Sequence, residues 1–241
     1  MEPSSIISYG PHPDQRIAVY PHRGEGNGWV VTVVHGGYWR PRFDWTITLD
    51  LVDHLIGRGF DVVNIEYRRG TGAGAWPAPA SDVRLAIKAA REQLPTSRFI
   101  SVGHSVGGEL VLLSADLVDA VVALAPVTDA GRVYAEGLGG NAALDYFGAG
   151  PDALPEVYSD ASPLERRAPD CPTLIVHGAA DDRVPLSHTL DYLAALPEAP
   201  IDLILDHDSG HFDVSDPAHP CWRQVDAWLA SLASGEHPNR P

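Results

Sequence analysis

An α/β fold, with a mainly parallel sheet covered by helices on both faces, is predicted by three observations. Short β-branched apolar runs recur near 29–35, 61–66, 98–104, 118–125, 172–177 and 201–206. Segments with apolar residues at helical spacing separate them, clearest at 45–57, 81–94, 107–114, 186–196 and 217–233. Strands alternating with helices in this way imply parallel pairing with both sheet faces buried. At 241 residues the chain suits one sizeable domain, and 1–241 is read as a single unit.

Taken in order, an early hairpin is expected around Ile17 to Tyr20. The strand beginning near Trp29 runs into His35-Gly36-Gly37-Tyr38-Trp39, a strand-ending turn. Residues 70–80 read as a Gly/Ala/Pro loop, after which Ser81 is expected to cap a helix. Residues 126–170, rich in Gly, Pro, Asp and Ala, are the one place for a small lid, with no full cap domain. Its aromatics Tyr134, Tyr146, Phe147 and Tyr158 either lean over a site or form local core. The tail 234–241 is expected to fray.

The chemistry is concentrated at three strand ends. Gly103-His104-Ser105-Val106-Gly107 follows one apolar run and opens a helical one, which is the strand-turn-helix setting of a nucleophile elbow. Glycines flank the serine because the backbone turns too sharply there for side chains. The turn lifts the Ser105 hydroxyl above the sheet and aims the Val106 N–H, at a helix start, toward developing negative charge. Gly37 and Tyr38 offer two further N–H groups for an oxyanion hole, and His35 is expected to brace that loop. An acid follows the next relevant strand at Asp181-Asp182, and His207, Ser209, Gly210, His211 and Phe212 follow the last, His211 being the better base. A serine hydroxyl needs a histidine to take its proton and a carboxylate to hold that histidine in the right tautomer.

With these motifs in view, the chain resembles the α/β-hydrolase superfamily, and within it the cap-poor branch of kynurenine formamidase (arylformamidase) and related bacterial esterases. The resemblance rests on Tyr9 to Arg16, His35 to Trp39, Glu66-Tyr67-Arg68, Gly103 to Gly108, Ala125 to Asp129, Ala161 to Leu164, His177 to Pro185 and Gly210 to Asp213. It implies an eight-stranded-type sheet with a minimal cap, no cofactor, Ser105 as nucleophile, His211 as base and Asp181 rather than Asp182 as its partner. Two departures stand out. Glu109 occupies a position where many relatives carry a small residue or His, and is read as a solvated or N-terminal helix acid, favourable near the helix dipole. Ala125-Pro126-Val127-Thr128-Asp129 is closer to general esterases and prolyl-oligopeptidase-like hydrolases than to formamidases.

A net charge of −15 argues against nucleic acid or an anionic membrane surface as partner. The start of the chain lacks a signal sequence and no run is long enough to span a bilayer, so a cytoplasmic enzyme is expected. Cys171 and Cys221 are read as free thiols. His207 with Asp206, Asp208 and His211 reads as a polar loop, with no metal site expected. The leading function is a serine hydrolase that cleaves small carboxylic esters or N-formyl or aryl amides through an acyl-enzyme on Ser105. Trp39, Tyr67, Trp76 and Phe212 are assigned to its substrate pocket, and a homodimer is allowed for. The alternatives are a prolyl-oligopeptidase-like peptidase and a non-catalytic binding protein on the same fold.

Overall fold

A computed structural model of the protein describes residues 2–95 and 97–236. Among the described residues, eight strands build one sheet: β1 (Ser5–Ser8), β2 (Arg16–Tyr20), β3 (Trp29–Val34), β4 (Asp61–Glu66), β5 (Arg98–His104), β6 (Ala120–Leu124), β7 (Thr173–Gly178) and β8 (Ile201–Asp206). Their spatial order is β1-β2-β4-β3-β5-β6-β7-β8. The N-terminal hairpin joins β4 antiparallel, and every pairing from β4 to β8 is parallel. β3 and β6 are buried at every position, as strands covered on both faces must be.

The α-helices among the described residues are α1 (Leu49–Gly57), α2 (Ala78–Gln93), α3 (Val106–Leu112), α4 (Ala130–Ala135), α5 (Leu138–Phe147), α6 (Pro155–Asp160), α7 (Leu186–Ala195) and α8 (Trp222–Ser234). Val83 and Ile87 of α2, Leu110 and Val111 of α3 and Tyr192 of α7 pack on one face. Leu51, Val52, Leu55 and Ile56 of α1 and Trp222, Val225, Leu229 and Leu232 of α8 pack on the other. Each apolar stripe recurs at helical spacing, so one side of each helix meets the sheet.

Three helix starts differ from the sequence expectation, the first being α1, which begins at Leu49 after a 3₁₀ turn over Trp45–Thr48. α2 begins at Ala78, and the Ser81 amide already bonds to the Pro77 carbonyl (3.0 Å), so Ser81 lies inside the helix and caps nothing. Pro79 falls in the first turn, where its fixed φ suits the helix and its missing N–H has no partner to lose. α8 begins at Trp222, not Pro217; Asp216 is extended (ψ 111°), the conformation that a following proline favours. Ser234 closes α8, and residues 237–241 of the expected frayed tail lie outside the described residues.

Candidate active site

Ser105 sits between β5 and α3 with φ 59° and ψ −119°, a left-handed and strained backbone. Crowding explains the glycines around it. A Cβ on Gly103 would stand 2.1 Å from the Gly107 carbonyl oxygen, and one on Gly107 would stand 2.1 Å from that of Val34. The strained turn is anchored to β6 and the chain beyond it: the Ser105 amide donates to the Leu124 carbonyl (2.9 Å) and the Val127 amide to that of Ser105 (3.2 Å).

The turn after β3 lies directly on this elbow. A Cβ on Gly36 would meet the His104 carbonyl oxygen at 2.6 Å and the Ser105 Cβ at 3.0 Å. Gly37, Tyr38 and Trp39 then take positive φ in succession (124°, 52° and 55°). The amides of Gly37, Tyr38 and Val106 have no hydrogen-bond partner among the described residues. Side chains hold the strained run in place. The Tyr38 hydroxyl donates to the Arg183 carbonyl (2.9 Å), and Trp39 Nε1 donates to Glu109 Oε2 (3.1 Å). Below the turn, the nitrogens of buried His35 meet the Gly36 carbonyl (2.8 Å) and Glu66 Oε1 (3.2 Å), and Tyr67 stacks on its ring.

Asp181 and His211 come together across the ends of β7 and β8. His211 Nδ1 lies 2.7 Å from Asp181 Oδ2, while Asp181 Oδ1 accepts from the Arg183 (2.8 Å) and Val184 (2.9 Å) amides. Burial opposes charge on Asp181, but hydrogen bonds from His177, His211 and the backbone outweigh it and hold the carboxyl well below the ordinary range. The carboxylate is an acceptor only, so His211 presents Nδ1–H to it and leaves Nε2 free to accept a proton. Asp182 points away, 77% exposed, toward Arg183. The ring of His104, the residue before Ser105, lies 4.5 Å from the His211 ring, which sets the imidazole beside the elbow. No hydrogen bond joins Ser105 to His211 among the described residues; such contacts commonly close only around substrate.

Three expectations need correction. Glu109 is not solvated: it is 0% exposed, bonded to Trp39 through one oxygen and without a partner at the other. Burial pushes its carboxyl well above the ordinary range, although it does lie in the first turn of α3. Trp39 and Tyr67 are not pocket walls. Both are sealed in the core, Trp39 stacked on Tyr146 at 5.3 Å and Tyr67 bonded to the His35 carbonyl (2.7 Å). Of the four assigned aromatics, Phe212 is the exposed one (65%), its ring 5.2 Å from that of His211, and Trp76 is half-buried against Phe147.

Segment 126–170 folds into α4, α5 and α6, and two of its aromatics, Tyr146 and Tyr158, are core. The Tyr146 hydroxyl bonds to the Gly74 carbonyl (3.0 Å) and Arg40 to that of Gly139 (2.5 Å), which ties this segment to the loop before α2 and to the turn after β3. Sequence reading missed Glu109 and Tyr146 as supports of that turn; their signal was a charged residue and an aromatic in otherwise small-residue segments.

Both cysteines are free thiols. Among the described residues, the one set of His, Cys and carboxylate groups near enough to share an ion is Asp206, His219 and Cys221, not the run around His207. No helix among the described residues is long and apolar enough to cross a membrane.

The model of the prolyl oligopeptidase family matches residues 78–234, and a BD-FAE model matches residues 18–119. Kynurenine formamidase from Meyerozyma guilliermondii is 34% identical over 115 residues, 46% of this chain and 42% of that protein. The enzyme of the same name from Scheffersomyces stipitis is 30% identical over 112 residues, 44% of this chain and 41% of that protein. The matched region thus covers about two fifths of the length of these curated relatives. A truncated carbohydrate esterase from gut microbiota superposes with a TM-score of 0.79 over 96% of this chain and 97% of its own, at 18% identity. That likeness, with the sheet order, gives the chain the α/β-hydrolase fold.

Proposed function

The chain belongs to the prolyl oligopeptidase family, and from that premise we propose that it is a serine hydrolase of small carboxylic esters or N-formyl and aryl amides. One observation carries the reading: an aspartate-bound imidazole, His211 Nδ1 to Asp181 Oδ2 at 2.7 Å, lies 4.5 Å from the ring of His104, the residue that precedes a serine held at φ 59°. In this reading His211 Nε2 takes the Ser105 proton as Oγ attacks the acyl carbon. The amides of Gly37, Tyr38 and Val106 receive the developing oxyanion, and their lack of other partners means that nothing need be broken to do so. The imidazolium, steadied by Asp181, returns the proton to the leaving alkoxide or amine. Water activated by the same nitrogen then frees the acid, and no cofactor is required.

The formamidase relatives support formamides as substrates, and the family match favours a second reading, cleavage of peptide amides. A fluorophosphonate probe tests the shared mechanism: it should label the protein once, and Ser105→Ala should abolish labelling and lower kcat on the order of 10⁶-fold while the fold survives. Labelling that persists in Ser105→Ala removes the serine from the reaction. p-Nitrophenyl acetate, N-formylkynurenine and a prolyl peptide anilide, assayed side by side, separate ester, formamide and peptide chemistry. We place the enzyme in the cytoplasm, acting on a small-molecule substrate.

A further inference from the structure

The outer edge of the sheet carries three side chains that hydrolysis does not use. Asp206 ends β8, His219 stands in the turn before α8, and Cys221 immediately precedes the first helical residue. One ligand atom from each lies within 4.8 Å of the other two. Asp206 and His219 are partly open to solvent, whereas Cys221 is buried against the core under α8.

The three groups differ in chemistry, and that narrows what they can hold. Magnesium and calcium take oxygen ligands, while a thiol, an imidazole and a carboxylate together suit zinc and its neighbours in the first transition row. Tetrahedral bonds of about 2.0–2.3 Å would set the ligand atoms roughly 3.3–3.8 Å apart, so a side-chain shift of about 1 Å closes the triangle. The open face leaves a fourth position for water.

Local interactions already gather the three groups. His219 Nδ1 accepts from the Cys221 amide (3.4 Å), and the His219 Nε2 side meets the Ser209 hydroxyl (3.4 Å). A hydrogen bond from Ser209 keeps the Asp206 carboxyl below its ordinary range, hence charged. Burial, with that carboxylate close by, pushes the Cys221 thiol up to about 11.

We propose that Asp206, His219 and Cys221 form a binding site for a zinc-class divalent cation. On coordination the Cys221 S–H bond gives way to a sulfur–metal bond, the proton passes to solvent, and no group changes oxidation state. The bound ion would join the end of β8 to the start of α8, the two ends of the stretch that carries His211. The site stands whether or not the protein is a hydrolase.

Cobalt(II) added to the full chain is the direct probe. A thiolate-to-cobalt charge-transfer band should saturate at one equivalent, vanish on adding zinc, and be absent with magnesium. Zinc at a hundredfold excess over Kd should raise Tm by roughly 5 °C. Cys221→Ser should abolish the band, Cys171→Ser should keep it, and His219→Gln and Asp206→Asn should each weaken binding at least tenfold. The last two variants keep the test decisive if Cys221→Ser fails to fold. Absence of the band in the wild type, its loss in Cys171→Ser, or unchanged affinity in both His219→Gln and Asp206→Asn would overturn the site.

Discussion

His104 Nε2 donates its proton to the carbonyl oxygen of His211 at 2.9 Å, so the residue before the proposed nucleophile holds the backbone of the proposed base. A carbonyl can only accept, which fixes the His104 tautomer. Burial and the neighbouring His211 lower its pKa to about 3.

That depressed value has a consequence for stability. An unfolded imidazole titrates near 6.5, so between about pH 6.5 and pH 3 the unfolded chain binds one more proton than the folded one. The contribution is full above that window and is lost as pH falls through it, at about 1.4 kcal/mol per pH unit. His104→Gln keeps a donor but removes the titration. Urea unfolding at pH 7.5 and pH 5 should show the wild type losing about 2 kcal/mol more than the variant; equal losses would mean that His104 is not held neutral by the fold.

The adjacent acids give a contrast that stability does not confuse. Asp181→Asn should lower kcat roughly 10⁴-fold, because the amide would favour the wrong His211 tautomer. Asp182→Asn, at an exposed side chain, should stay within about threefold. Steady-state kinetics of the two variants would reverse the assignment if the second were the crippled one.

Glu109 is predicted to position the turn that bears the proposed oxyanion amides. Glu109→Gln matches the carboxyl in shape and still accepts from Trp39 Nε1, so kcat should fall no more than about threefold. Glu109→Leu orphans the indole N–H, at a cost of about 1–3 kcal/mol in stability, and should lower kcat with KM little changed. An equal loss in both variants, or a change in KM alone, would argue for a different role.

Phe212 is the exposed ring beside His211, and it should meet an aryl leaving group. Phe212→Ala should reduce kcat/KM for phenyl esters by roughly 3–10-fold and for ethyl esters far less. Short acyl chains should outrun palmitate in both proteins; a preference for long chains would show that the site is deeper than an open cleft.

Much of the fold was readable because its signals are local. Val30 to Val34 and Ala120 to Leu124 announce buried strands by composition alone, and Gly103 to Gly107 announces a turn that only glycines permit. The distinction between Asp181 and Asp182 came from resemblance, since either lies at the same strand end. What remained hidden depends on side-chain direction. Trp39 and Tyr67 neighbour the motifs in sequence yet point into the core, and Glu109 looks like a surface acid until Trp39 is seen to cover it. Asp206, His219 and Cys221 become neighbours only through the turn that returns from β8 to α8.

The sheet order itself separates the functional groups in an uneven way. Ser105 follows a central strand, while His211 follows β8, the last strand on the open edge, none of whose residues is fully buried. Edge elements open locally at less cost than central ones. On the proposed mechanism, reactivity therefore reports on the docking of one peripheral strand, and a molecule whose core is intact but whose border has frayed would keep the proposed nucleophile and lose the proposed base.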